Sequence, residues 1–277
     1  MIPAKDEAEH VAQTVRAVLG LPHLRRVVVV DDGSRDATAR RAAEAGALVL
    51  RHPRTRGKAA ALTTGAERAA QLDAQGGLPP SVVLFVDADL GDSAAATAAL
   101  TVPVLAGEAD MTIAVLPPQR TAGGGHGLVV GLSREGIRRA TGFTATQPLS
   151  GMRCLTRAAY ETARPLAHGW GVETALTIDL LTAGLRVVEV PCDLHHRVTG
   201  RDLAAQLHRA RQLRDVGRAL AARRARRAMP LRVLRALRAL PALGDRRRAA
   251  GPGADPGPTG PGRPSQGAGV PPPAGPR

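Results

Sequence analysis

Two of the apolar runs in this chain end abruptly in acid. Arg26-Val27-Val28-Val29-Val30 leads straight into Asp31-Asp32-Gly33-Ser34, and Ser81-Val82-Val83-Leu84-Phe85-Val86 into Asp87-Ala88-Asp89. Short continuous runs of β-branched residues read as strands buried on both faces, the pattern of a parallel sheet covered by helices. Helix-like stretches at 36–45, 58–71 and 171–183 alternate with further strand-like runs at 47–51, 111–115 and 185–190. That alternation builds βαβ units, so the sequence predicts an α/β fold with a Rossmann-like, mostly parallel sheet flanked by helices. Ligands of such sheets bind outside the carboxyl ends of the strands, where both acidic clusters fall. Ile2-Pro3-Ala4 reads as the last residues of a strand whose earlier part lies upstream or is clipped. A clipped strand would leave an unpaired edge beside those acids.

Composition limits the classes of function. The chain has 277 residues, enough for one large domain or two small ones. Aromatics are only 1%, so the core must come from Val, Leu, Ile and Ala. Net charge is +14, yet 17 of the 38 basic residues and only 4 of the 24 acids lie from Arg201 onward. The first 200 residues are nearly neutral, which argues against a nucleic-acid-binding fold, where basic charge and aromatics share one surface. Cys154 and Cys192 form no CxxC pair, so a reducing, cytoplasmic setting is expected. No apolar run approaches the roughly 20 residues of a membrane span, and the opening residues lack the apolar core of a signal peptide. Expected boundaries are 1–200 for the folded domain, divided at 115/116; 201–248 for a basic helical C-terminal extension; and 249–277 for a disordered Pro/Gly-rich tail.

The motifs carry the chemistry. Residues two apart in an extended strand face the same side, so Asp87 and Asp89 would converge at one point. A hard divalent cation such as Mg²⁺ or Mn²⁺, with a diphosphate, relieves their repulsion; a solvated acidic loop is the plainer alternative. Asp31-Asp32-Gly33-Ser34 repeats the theme: Gly33 supplies a tight turn and Ser34 an N-cap, while a carboxylate there could accept hydrogen bonds from a uracil or ribose. Gly57-Lys58 opens a helix, where a lysine and backbone N–H groups suit a phosphate. It is one of only two lysines in the chain. His195-His196-Arg197 follows a strand, and a neutral imidazole can complete a Mn²⁺ shell. Glu173 lies in the first turn of a helix, a place that also suits an acid on dipole grounds alone.

Taken in order, Ile2-Pro3-Ala4-Lys5-Asp6-Glu7, Asp31-Asp32-Gly33-Ser34, Gly57-Lys58, Asp87-Ala88-Asp89 and Gln147-Pro148-Leu149-Ser150-Gly151 resemble the family 2-type glycosyltransferases of GT-A fold. Gly169-Trp170-Gly171-Val172-Glu173 and His196-Arg197 narrow the resemblance to the bacterial glucosyl-3-phosphoglycerate synthases, over about residues 1–220. This implies a nucleotide-sugar half (1–115) and an acceptor half (116–200). Pro3, Ala4, Glu7, Asp32, Lys58, Asp87 and Ala88 would bind the donor, and Gly125, His126, Ser150 and Gly151 the acceptor. Asp89 and His196 would hold Mg²⁺ or Mn²⁺, and Glu173, Asp89 and Lys58 would carry catalysis. The donor implied is UDP-glucose and the acceptor 3-phosphoglycerate, with retention of configuration. Two segments depart from the pattern: Gly124-Gly125-His126-Gly127-Leu128 stands where an Arg and a Thr follow a Gly pair, and Val198 stands where an Asn is usual. Both bear on the acceptor, not on the donor or metal. The Arg-rich region from 201 to 248 leaves open peripheral contact with the inner face of a membrane and a polyprenyl-phosphate or cell-envelope acceptor; a homodimer is also compatible. A nucleotidyltransferase or a non-catalytic basic binding protein stand as readings from other classes.

Overall fold

The computed structural model describes residues 1–117, 127–195 and 203–228. Seven strands lie in it: β1 (Ile2–Ala4), β2 (Val28–Asp31), β3 (Leu48–Arg51), β4 (Val83–Phe85), β5 (Met111–Val115), β6 (Arg153–Leu155) and β7 (Val187–Pro191). β1, β2 and β3 pair in parallel. β6 runs antiparallel between β4 and β5, and β7 is parallel to β5. Met1 joins the two groups: its backbone nitrogen donates to Leu84 O at 2.9 Å and its carbonyl accepts from Val86 N at 3.1 Å. The edge expected to stand unpaired beside the acids is therefore paired, and the order across the molecule is β3-β2-β1-β4-β6-β5-β7.

Helices cover both faces: α1 (Val11–Leu19), α2 (Thr38–Glu44), α3 (Lys58–Gln75), α4 (Ala98–Leu105), α5 (Gly127–Thr141), α6 (Arg157–Thr162), α7 (Val172–Thr182) and α8 (Leu203–Ala228). On one face Val11, Val15 and Val18 of α1 pack with Ile2, Val29, Leu100 and Cys154. On the other, Phe85, Ile113 and Leu155 pack with Tyr160, Leu176 and Leu180. Alternate residues of β4 and β6 serve opposite faces, as the pleat requires. Aliphatic side chains dominate, as the composition predicts; Phe85 and Tyr160 make an edge-to-face pair with centroids 6.4 Å apart.

Three expectations need correction. β6 has no counterpart in the sequence reading, so the second half of the sheet is less parallel than expected. β4 ends at Phe85, and Ala88-Asp89 form a turn; the two acids sit on that turn and not on one face of an extended strand. Ser34 does not cap α2, whose N-cap, Ala37, makes no side-chain cap bond.

α8 packs against α5, α7 and the 3₁₀ turn Gly169–Gly171. Val216 and Ala219 are buried, and Gly136, Gly169 and Gly171 let the helix come close. A Cβ at Gly171 would stand 2.6 Å from Asp215 O and 2.7 Å from Ala219 Cβ. Arg223 Nε donates to Asp179 Oδ1 at 3.0 Å, fastening α8 to α7. Among the described residues no helix is long and apolar enough to cross a membrane.

Candidate active site

The site forms at the carboxyl ends of β1, β2 and β4, from loops tied together by the acids themselves. Asp31 is fully buried; its Oδ1 accepts from Ser34 N at 2.9 Å and its Oδ2 lies 3.1 Å from Arg51 Nε. Ser34 Oγ accepts from Asp6 N at 2.9 Å, and Asp6 Oδ1 accepts from Arg35 N at 2.9 Å. Thr38 Oγ1 accepts from Glu7 N at 2.8 Å and Asp36 Oδ2 from Ala8 N at 3.1 Å. The turn after β2 thus holds Asp6, Glu7 and Ala8 just beyond the end of β1, where Pro3 and Ala4 pair with Val30 and Asp31.

Asp32 organises the neighbouring loop. Its carboxylate accepts from Arg56 N and Gly57 N, each at 2.8 Å, and faces His52 Nδ1 at 2.6 Å. His52 Nε2 lies 3.0 Å from Thr64 Oγ1 on α3. Of roughly four acceptor positions on a carboxylate, three are engaged by the protein. Gly33 makes this approach feasible: its φ is +77°, and a Cβ there would stand 2.8 Å from Arg54 C and Thr55 N. The loop delivers Lys58 as the first residue of α3, with Gly57 at φ 92° before it.

Lys58 is the centre of the constellation. Its Nζ donates to Asp87 Oδ1 at 2.9 Å and lies 3.0 Å from Glu173 Oε1. Glu173 is buried in the first turn of α7. Burial by itself lowers the lysine pKa, but the Asp87 and Glu173 carboxylates outweigh it and hold the ammonium above its ordinary value of 10.5. Gly151 closes this group from the other side: a Cβ there would stand 2.6 Å from both Asp87 Oδ2 and Lys58 Nζ. Four sequence-predicted residues, Lys58, Asp87, Gly151 and Glu173, are therefore brought together from four separate segments.

Gly151 is held in place by contacts the sequence reading did not single out. Arg153 on β6 is buried, and its guanidinium donates to Ser150 O at 2.9 Å, Pro148 O at 3.1 Å and Thr177 Oγ1 at 2.9 Å. Gln147 pairs its side-chain amide with both backbone groups of Leu116, at 3.0 and 2.7 Å. Glu189 on β7 accepts from Thr146 N and Gln147 N. The hydroxyl of Ser150 is buried with no hydrogen-bond partner among the described residues. Arg153 and His52 carry no distinguishing signal in an arginine-rich chain with eight histidines; only an apolar neighbourhood around a lone charge, as at Met152-Arg153-Cys154-Leu155, hints at the first.

Asp87, Ala88 and Asp89 belong to a turn clamped by α1: Thr14 Oγ1 donates to Ala88 O and accepts from Gly91 N, both at 2.9 Å. The segment after β7 reaches the same place, since His195 N donates to Ser93 Oγ at 3.2 Å. Aspartate oxygens are the hard donors that Mg²⁺ and Mn²⁺ favour, and such ions are commonly held by one or two carboxylates together with phosphate. Among the described residues no group of three or more His, Cys, Asp or Glu comes together. His196, Gly125 and His126, expected to join the metal and acceptor sites, lie outside the described residues, as do the tail and the end of the basic extension.

Comparison with known proteins adds the following. Residues 1–123 match the model of glycosyl transferase family 2. An uncharacterized protein of Methanocaldococcus jannaschii is 28% identical over 200 residues, covering 69% of this chain and 78% of its own. Glucosyl-3-phosphoglycerate synthase from Mycobacterium tuberculosis, solved with Mn²⁺, UDP-glucose and phosphoglyceric acid, is similar at TM-score 0.60 and 26% identity over 80% of this chain and 77% of that chain. The same enzyme with Mg²⁺ and UDP gives TM-score 0.61 at 26% identity, with the same shares covered. A further mycobacterial protein gives 0.62 at 27% identity, over 80% of this chain and 72% of that one.

Proposed function

We propose that this chain, whose residues 1–123 match the family 2 model and whose fold is similar to that of glucosyl-3-phosphoglycerate synthase, is a glycosyltransferase that moves a sugar from a UDP-sugar, with UDP-glucose first among donors, to a small phosphorylated hydroxy acid such as phosphoglyceric acid. The observation that carries the reading is Lys58, gripped by Asp87 and Glu173 beneath Gly151 at the carboxyl end of the sheet. Pro3, Ala4, Glu7, Asp32, Asp87 and Ala88 line the donor side and Ser150 and Gly151 the acceptor side, with Gly125 and His126, outside the described residues, proposed as further acceptor contacts. The Ser150 hydroxyl, buried and without a hydrogen-bond partner among the described residues, supports a ligand contact there. Asp89 and His196 would hold Mg²⁺ or Mn²⁺, which would supply positive charge to the departing diphosphate.

In the reaction the acceptor hydroxyl oxygen bonds to the anomeric carbon as that carbon's bond to the diphosphate oxygen breaks. The bonding pair leaves with UDP. Lys58 stands ready to stabilise the charge that builds there, the electrostatic contribution that is often largest in catalysis. Glu173 and Asp87 hold the ammonium in position. With Glu173 occupied by Lys58, the hydroxyl proton passes to the leaving phosphate on the same face, which gives retention.

The test is to incubate the full chain with UDP-glucose, Mn²⁺ and phosphoglyceric acid, and to measure UDP release together with the anomeric proton signal of fresh product. An α-linked product is expected, with Asp89→Ala lowering turnover at least about a hundredfold. A β-linked product would overturn retention, and an Asp89→Ala chain with normal turnover in EDTA would remove the metal role. A lipid-linked acceptor is the second reading, favoured by Arg211, Arg214 and Arg218, all exposed on α8. Flotation with anionic vesicles at low and high salt distinguishes it.

A further inference from the structure

Among the described residues Arg153 is the largest fully buried side chain, and the nearby Glu173 and Glu189 carboxylates act on it electrostatically without a salt bridge to it there. Burying a guanidinium without a salt-bridged acid is costly, so its three hydrogen bonds to oxygen, beside a longer one to Met111 Sδ at 3.9 Å, must secure something the fold needs. Two of them end on the carbonyls of Pro148 and Ser150, the residues that lead into Gly151. The third reaches Thr177, one turn after Glu173 on α7. A single guanidinium thus spans the loop that closes on Lys58 and Asp87 and the helix that supplies Glu173.

On the glycosyl-transfer reading above, we propose that Arg153 is a positioning residue for the reaction: its fork fixes the 148–151 loop so that bare Gly151 rests against the Lys58–Asp87 pair while Glu173 is held opposite. The planar fork matters because two carbonyls and one hydroxyl are gripped at once, which an ammonium cannot reproduce. The charge persists at neutral pH, since burial brings the guanidinium down only to about 10, with Glu173 and Glu189 acting in the opposite sense.

Full-length Arg153→Lys keeps a cation and loses the fork, and Arg153→Gln loses both. Cys154→Ala, next along β6 but packed on the opposite sheet face, removes buried volume without touching the loop. Each is assayed at saturating donor beside circular dichroism and a thermal melt. We expect both Arg153 variants to lower kcat at least about tenfold with donor KM changed less than about threefold, and Cys154→Ala to lower Tm with kcat within about twofold. Arg153→Lys at wild-type kcat overturns the proposal, as does Cys154→Ala losing equal activity. If neither Arg153 variant folds, hydrogen exchange on the wild-type chain decides. The Ser150 amide, bonded to Gln147 O at 3.1 Å, should exchange as slowly as those of β6, and exchange within seconds refutes the clamp. Calorimetry of UDP with Mn²⁺ on the wild type separates the two levels. No binding removes the glycosyl-transfer reading, whereas binding together with an unimpaired Arg153→Lys removes only the positioning role.

Discussion

Gly151 has a φ that any residue can adopt, yet no side chain fits there without disturbing two charged groups. The atoms a Cβ would meet are the ends of Lys58 and Asp87, which are able to swing aside. Gly151→Ala should therefore fold normally, with Tm within a few degrees of the wild type, but separate the lysine from its acid. A fall of about a hundredfold in kcat/KM for the donor is expected, and unchanged turnover would detach Gly151 from the site. At this scale the sequence is informative where a charge stands out from its surroundings. Asp87, Lys58 and Glu173 punctuate apolar or nearly lysine-free stretches, so their chemistry is legible. Arg153 and His52 are not, because what distinguishes them is burial, and burial of a charge is decided by partners distant in sequence. Ser34 reads as a helix cap and instead accepts from Asp6 N, 28 residues away, for the same reason.

Among elements, those defined by long apolar runs are the legible ones. β2 and β7 follow Val-rich segments and β5 the apolar run Met111–Val115, while β6, three residues containing an arginine and a cysteine, offers no periodicity to read. Its place between β4 and β5 comes from the partners on either side. α8 shows the reverse: its arginines are obvious, but its seat depends on glycines elsewhere. Gly171→Ala would drive a Cβ into the backbone of Asp215 and into Ala219, and backbone yields poorly, so a loss of about 1–3 kcal/mol is expected, read as a fall of several degrees in Tm. Gly131→Ala in α5, where a Cβ meets nothing within 4 Å, should instead gain about 0.5–1 kcal/mol from helix propensity. Equal effects from the two would show that α8 is not seated through Gly171.

For the molecule as a whole, α3 links the site at the carboxyl ends of the strands to the amino end of β4. It begins at Lys58 and ends near Asp73, whose carboxylate accepts from Ser81 N at 2.9 Å and from Ser81 Oγ at 3.0 Å just before β4. Burial works to raise the Asp73 pKa, but the Ser81 bonds and Arg25 prevail and hold it below the ordinary 3.8. Asp36 is likewise held below 3.8, chiefly by the Thr38 hydroxyl. A depressed carboxylate stabilises the fold fully above its unfolded value and loses that contribution as pH falls through the folded value. Thermal melts should therefore show these two acids contributing a constant amount from neutral pH down to about 5 and less below about 4. Asp73→Asn should be less stable at pH 7 and decline less steeply in acid. An unchanged acid slope would mean that Asp73 gains nothing from its partners.

The grip on Lys58 has one more consequence. Two acids share a single ammonium, so within this cluster carboxylates outnumber the cation. Stray inorganic phosphate, abundant in any cell, gains little by entering. A nucleotide that brings its own cation arrives already balanced and can claim the lysine. On the proposed function, this cluster favours a nucleotide whose charge a cation already balances over bare inorganic phosphate.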